Sequence, residues 1–163
     1  MQSVSPLTPI VDADCRVLIL GSHPSVISKE MGFYYANPHN RFWRVLSETI
    51  GEDLTQLNAE GKTRLLLAHH IALSDVVVSC TLSGSADATI RDVVPSDIAT
   101  LLAEAPIGRI FINGKTAYRY FAKYFPHLLP LATVLPSTSP ANAQWSYDAL
   151  FAAWQAVKDA LTD

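Results

Sequence analysis

The side chains best suited to chemistry in this sequence are neutral. Asn37, Asn40, Asn113, Asn142, Ser137 and Ser139 fall in turn-rich stretches, with Tyr34 and Tyr35 beside the first two. Amides and hydroxyls can read the edge of a nucleobase, and an aromatic ring can stack on its face. Tyr34 and Tyr35 suit the core equally well as plain aromatics. Asn40 suits the N-cap of the helix that follows it, a role compatible with chemistry. Other chemistries lack their motifs. Gly21-Ser22-His23-Pro24-Ser25 has no second Gly followed by Lys-Ser/Thr, so it is no Walker A loop, and it is no GxGxxG turn. No GxSxG elbow is present. His39, His69, His70 and His127 fall at no metal-binding spacing, so no metal site is expected, and no motif here calls for a cofactor. His69-His70 closes a helical pattern, where a role at the helix end is expected. Cys15 and Cys80 are not CxxC-spaced and are expected to be free, structural thiols.

Four apolar runs must position these residues. Arg16–Leu20 reads as a strand covered on both faces, and it breaks at Gly21. Arg41–Ile50 is amphipathic and helical, closed by Gly51. A second helix is expected after Gly61. Ile71–Val78 reads as a strand, interrupted only by Ser74 and Asp75, and Ser79–Ser85 as a loop. Ser85 or Asp87 is expected to cap a short helix through Ile90, and Ser96 a helix over Asp97–Glu104. Arg109–Asn113 is a third strand, followed directly by Gly114 and a helix over Lys115–Phe125. Leu131–Leu135 is a fourth, and it runs into Pro136–Asn142; a last helix is expected over Ala143–Ala160. Met1–Asp14 is an irregular lead.

Strands separated by helices predict one α/β domain over residues 1–163. The expected architecture is a three-layer α/β/α sandwich around a central four-stranded, mainly parallel sheet. Right-handed crossovers then bring the loops after the strands to one edge, where open α/β sheets bind ligands. Those loops are Gly21–Asn40, Ser79–Asp87, Asn113-Gly114 and Pro136–Asn142.

The chain has 163 residues, 49% hydrophobic and 17% charged, so it can bury a full core and is not a solvated, disordered chain. No apolar run approaches the roughly 20 residues that span a bilayer. No basic segment leads into an apolar core at the start. A cytoplasmic protein with no membrane partner is expected. The net charge of −3 argues against nucleic-acid binding through bulk charge. Between Pro106 and Tyr147, however, Arg109, Lys115, Arg119 and Lys123 stand with no Asp or Glu. A local field of that kind can steer a polyanion.

LILGSHPS, YYANPHNRFW and LPSTSPANA together resemble the uracil-DNA glycosylase superfamily over nearly the whole chain. The wording is most similar to its hypoxanthine-DNA (deoxyinosine) glycosylase branch. The mismatch-specific uracil/thymine branch is similar in the segment before Phe42-Trp43. Two positions depart from the pattern. Asn37 stands where the family usually has His, with His39 two residues on. His23 stands where the mismatch branch has an Asn and the main uracil branch an acid, which argues against efficient uracil chemistry of the usual kind.

The resemblance implies a monofunctional DNA glycosylase that hydrolyses the N-glycosidic bond of a deaminated base, hypoxanthine before uracil or xanthine. Its expected partner is double-stranded DNA carrying a damaged or mispaired base, met by a monomer. Asn40 would be catalytic, positioning the water or stabilising the sugar cation. Gly21, Ser22, His23, Pro24, Tyr35, Asn37 and Asn113 would hold the base, with Tyr35 stacked on it. Ser137, Thr138, Ser139, Pro140, Ala141 and Asn142 would grip phosphates and fill the gap left in the duplex. The alternatives are a mismatch-specific uracil-DNA glycosylase, or a non-catalytic nucleotide- or phosphate-binding module on the same fold.

Overall fold

A computed structural model describes residues 2–4, 7–23, 26–81 and 91–162. In chain order the elements are β1 (Gln2–Val4), β2 (Val17–Gly21), α1 (Val26–Met31), α2 (Phe42–Ile50), α3 (Ala59–Ala68), β3 (Ile71–Asp75) and β4 (Val77–Thr81). They continue with β5 (Arg91–Pro95), α4 (Ile98–Glu104), β6 (Arg109–Asn113), α5 (Lys115–Tyr124), β7 (Ala132–Leu135) and α6 (Tyr147–Thr162). β3, β2, β6 and β7 pair in that order, all parallel, in the expected four-stranded central sheet.

Period-two alternation divides each strand between two cores. Val17, Ile19, Ile71, Leu73, Phe111 and Leu135 pack on one face with Phe42, Val45 and Leu46 of α2 and Leu150, Trp154 and Val157 of α6. Leu18, Leu20, Ala72, Ile110 and Ile112 pack on the other with Ile98 and Leu101 of α4 and Ala117 and Phe121 of α5. The result is the predicted α/β/α sandwich. Burial on both faces is also why these strands read as unbroken apolar runs.

The strand expected over 71–78 is two. β3 ends at Asp75, and the chain crosses at Val76 into a second sheet, where β4 pairs antiparallel with β5 and with β1, a strand in the lead expected to be irregular that forms because β4 offers it backbone partners. The crossing is pinned to the turn after β2, since Val76 N donates to Gly21 O (2.7 Å) and Val77 N to Ser22 O (2.9 Å). Residues 79–81, expected in a loop, are strand because β5 supplies backbone partners that outweigh their turn-like composition. The expected helix cap at Ser85 or Asp87 lies outside the described residues.

Four helix starts differ from expectation, and one of them is α6, which begins at Tyr147 rather than Ala143. The cap of α2 is Arg41 rather than Asn40, although Asn40 Oδ1 still accepts from Phe42 N at 2.9 Å. α3 begins at Ala59, before Gly61, because Asn58 accepts from Gly61 N. Asp97, not Ser96, caps α4, accepting from Thr100 N. The Ser96 hydroxyl bonds Asp75 O instead. Cys15 is a buried free thiol whose pKa desolvation pushes up to about 11, in keeping with a structural role. Among the described residues no helix is long and apolar enough to cross a membrane.

Trp154 joins the core to the edge where the loops gather. Its ring meets Phe42 edge-on at 5.7 Å, and its Nε1 donates to Pro136 O at 3.0 Å, just beyond β7. Truncating Trp154→Ala removes both the packing and the anchor. Urea unfolding of this variant is expected to show a loss of about 3–5 kcal/mol; a loss under about 1 kcal/mol would show that neither contact matters.

Candidate functional site

The C-terminal ends of β2, β3, β6 and β7 surround a cleft of about 280 Å³. Ser22 and His23 follow β2, Tyr35, Asn37 and Asn40 come from the loop after α1, and Asp75 ends β3. Asn113 and Gly114 end β6, and Ser137, Thr138, Ser139 and Pro140 follow β7. Of the expected site residues, Asn40, Gly21, Ser22, His23, Tyr35, Asn37, Asn113 and Ser137–Pro140 meet here. Ala141 and Asn142 stand just outside, in a 3-10 turn over Pro140–Asn142. Pro24 lies outside the described residues.

Tyr35 is fixed by geometry more than by hydrogen bonds. Its φ is +52°, in the left-handed region that L-residues seldom occupy, so the surrounding packing must hold it there. One ring face stacks on Phe42, with centroids 3.9 Å apart and planes 15° apart. Its hydroxyl points at Gly21. A Cβ on Gly21 would stand 2.8 Å from Tyr35 Oη and 2.7 Å from Asp75 Oδ1, so only glycine lets the three approach. Burial and then the Asp75 charge push the Tyr35 hydroxyl pKa up, against a partial pull from the Asn113 amide. Tyr34, by contrast, is core: its ring is buried and its hydroxyl donates to Thr8 O at 3.0 Å.

Asn37 and Asn40 are oriented by the backbone around them. Asn37 Oδ1 accepts from His39 N at 2.9 Å, and Asn37 O from Asn40 N at 2.9 Å. The bond from Phe42 N assigns Asn40 Oδ1 to the helix start. That leaves the second lone pair of this oxygen and both Nδ2–H donors for a ligand or water.

Asn113 and Thr138 hold each other. Asn113 Nδ2 donates to Thr138 Oγ1 and Thr138 N to Asn113 Oδ1, each at 3.0 Å. Asn113 was expected to read a base edge; half its hydrogen-bonding capacity serves this clasp instead. Thr138, expected to grip phosphate, is fully buried and serves as a brace. The rest of its loop is self-supporting. Ser139 N donates to Ser137 Oγ, Ala141 N to Ser139 Oγ, and Asn142 Nδ2 to Ser137 O. Arg41 ties the loop to α2, donating from Nη1 to Trp145 O (2.6 Å) and from Nη2 to Asn142 O (3.2 Å). Gly114, at φ +99°, lets Ser137 approach to 2.9 Å of where a Cβ would stand.

Sequence reasoning assigned no role to Asp75, which is 6% exposed at the floor of the cleft. Desolvation pushes its pKa up to about 7. Its Oδ2 and the Tyr35 hydroxyl are both buried without a hydrogen-bond partner of good geometry among the described residues. The available signal was an acid at the C-terminal end of a buried parallel strand, in register with Gly21. Among the described residues no group of three or more His, Cys, Asp or Glu side chains converges as a metal site.

Four similarities bear on this arrangement. The sequence profile of the Uracil DNA glycosylase superfamily matches residues 8–159. A protein named hypoxanthine DNA glycosylase from Methanosarcina acetivorans is 36% identical over 141 residues, 84% of this chain and 87% of the relative. One of the same name from Methanosarcina barkeri is 34% identical over 113 residues, 69% of this chain and 72% of the relative. Among solved structures, the solution NMR structure of a Methanosarcina acetivorans protein described as a candidate uracil DNA glycosylase superposes with a TM-score of 0.85. It is 34% identical, and the match covers 100% of both chains.

The buried Asp75 carboxyl sets a pH dependence of stability. Between about pH 4 and pH 7 the folded chain keeps a proton that the unfolded chain has released. Stability therefore falls as pH rises through that window and is flat above it. Asp75→Asn removes the titration. Urea midpoints at pH 4.5 and pH 8 should show the variant gaining on the wild type by a few kcal/mol at the higher pH, on the order of the shift times 1.4 kcal/mol per unit. An equal difference at both pH values would contradict the assignment.

Proposed function

The chain belongs to the uracil DNA glycosylase superfamily, and we propose that it excises a deaminated base, hypoxanthine foremost, from double-stranded DNA by hydrolysing the N-glycosidic bond. The observation that carries this is the Asn40 amide, whose Oδ1 is held by Phe42 N in a cleft that the Tyr35 ring also lines. A cleft set among the ends of four strands can hold a base only once the base has left the duplex. That costs a few kcal/mol, least at a mispaired or damaged base.

Each residue takes a role from its position. The Tyr35 ring has Phe42 behind it and stacks on the flipped base. Asn40 offers Nδ2–H and a free lone pair of Oδ1 to the attacking water, on the face of the sugar where positive charge develops. Ser22 and His23, with their carbonyl side tied to β4 through Ser22 O, line the base pocket. Holding reactant and water in one geometry converts a bimolecular encounter into an oriented one. His23 in place of an Asn or acid weighs toward hypoxanthine and against the mismatch uracil reaction.

DNA is held at the rim. Pro140 and Ala141 are exposed at the tip of the braced loop, placed to enter the space the base vacates. Lys115 stands exposed in the first turn of α5 at the edge of the cleft, and Arg119 and Lys123 follow on the same helix. Backbone N–H groups, a helix N-terminus and three cations can contact phosphate despite the net charge of −3. The protein acts as a monomer in the cytoplasm and needs no cofactor for this step.

Incubation with duplexes carrying deoxyinosine or deoxyuridine, followed by alkali, tests the activity. Cleavage at deoxyinosine is expected, and intact strands with both substrates would sink the enzyme reading in favour of a binding module. Asn40→Ala is expected to lower single-turnover excision by about 10²-fold or more while affinity for the lesion duplex stays within about threefold, because water positioning acts mainly in the transition state. Unchanged turnover would remove Asn40 from the mechanism.

A further inference from the structure

Asp75 does more than fill the floor of the cleft. Three observations place it on the base side of the site. It pairs in register with Gly21, the residue that opens the base-binding turn. Its Oδ1 and the hydroxyl of the stacking ring Tyr35 converge on the one point that Gly21 leaves empty, at 2.7 and 2.8 Å. Its Oδ2 is buried and has no partner among the described residues. A buried carboxyl oxygen left without a partner carries a desolvation cost that a structural residue would avoid. A base entering the cleft beside Tyr35 would provide that partner.

We propose, on the premise that the chain is a deaminated-base glycosylase, that Asp75 is its general acid and delivers a proton to N7 of a flipped purine. The balance is simple. As the C1′–N9 bond breaks, its electron pair leaves with the base, and the Asp75 O–H proton on N7 neutralises the charge. Water adds to C1′ as hydroxyl, and its remaining proton returns to the Asp75 carboxylate. The products are free hypoxanthine and an abasic sugar. A pyrimidine has no nitrogen equivalent to N7, so this proton favours purine lesions. That is the substrate class expected where His23 replaces the groups used on uracil.

The surroundings keep the acid neutral. Tyr34 and Tyr35 face it from the loop before α2, His23 lines the same cleft, and Lys115 stands at the cleft rim. On its other side Asp75 borders a second cavity that, among the described residues, is lined by Asp97 and Glu104 and by no Lys or Arg. Desolvation then holds the proton up to about pH 7, where a general acid is most useful.

The test is single-turnover excision of deoxyinosine from pH 5.5 to 9 by the wild type and by Asp75→Asn, which keeps shape and a hydrogen-bond donor but has no proton to give. The wild-type rate is expected to fall about tenfold per pH unit above pH 7. The variant should be slower by about 10²–10⁴-fold at pH 6 and flat with pH, so the gap closes as pH rises. A purely structural role would leave a constant gap. Binding of both proteins to a duplex with a tetrahydrofuran abasic analogue checks the variant's fold. A second arm needs no mutation: with 7-deazadeoxyinosine, which lacks N7, the wild type should lose the same factor and its pH limb. A wild-type profile flat to pH 9, a variant as fast as the wild type, or full activity on the 7-deaza base would each overturn the proposal while leaving glycosylase activity intact. No excision of deoxyinosine by the wild type at any pH would overturn the glycosylase reading beneath it.

Discussion

Three separate stretches of the chain meet at Thr138, and the site depends on that junction. Its N–H and hydroxyl bind the Asn113 amide at the end of β6, and its carbonyl accepts from Arg41 N at 3.0 Å, one residue after Asn40. The residue is fully buried, so each of these groups would be costly to leave unpaired. The loop after β7, the end of β6 and the start of α2 therefore move together or not at all. The guanidinium of Arg41 repeats the link on the outside, and Trp154 anchors the same loop to the core through Pro136. The amide of Asn40 inherits its position from this network, which is the kind of preorganisation that catalysis by orientation requires.

A second convergence sets the character of the pocket. Because Gly21 has no side chain, a carboxyl and a phenol can share the space above the end of β2. The backbone there is closed off by hydrogen bonds from Val76 and Val77, so the crossing from one sheet to the other also fixes Asp75. The positive φ of Tyr35 is held by its stack on Phe42, which in turn packs against Trp154. Ring, acid and glycine are thus one packed unit, rooted in the same core that Trp154 completes. The neutral chemistry of the cleft follows from that burial, since a low-dielectric site strengthens hydrogen bonds and disfavours bare charge.

The sheet was legible in the sequence because burial on both faces leaves continuous apolar runs such as VLIL and IFI between turn residues. The loops were legible because Gly, Pro, Ser and Asn mark the points where those runs stop. What stayed hidden depended on partners distant in sequence. Ser79-Cys80-Thr81 reads as a turn until β5 is placed beside it. Thr138 reads as a phosphate contact until Asn113, 25 residues away, takes its side chain. Asn40 reads as a cap, and the structure moves the cap to Arg41 while keeping the amide bonded to the helix. Asp75 reads as an interruption in a strand and received no role, because only the register of β3 against β2 brings its carboxyl over Gly21. The resemblance in YYANPHNRFW and LPSTSPANA carried the functional expectation, and the similarity to the Methanosarcina proteins agrees with it.

In the proposed reaction a base flips into this cleft and meets Asn40 and Tyr35 there. A crystal structure of the protein with a duplex carrying 2′-fluoro-deoxyinosine, which resists hydrolysis, tests it most directly. The expected complex has the base outside the helix with its face on the Tyr35 ring, the Asn40 amide within about 3 Å of a water poised at C1′, and the loop over Ser137–Asn142 against the flanking phosphates. A base still stacked in the duplex, or one bound where the Asn40 amide cannot reach the sugar, would contradict it.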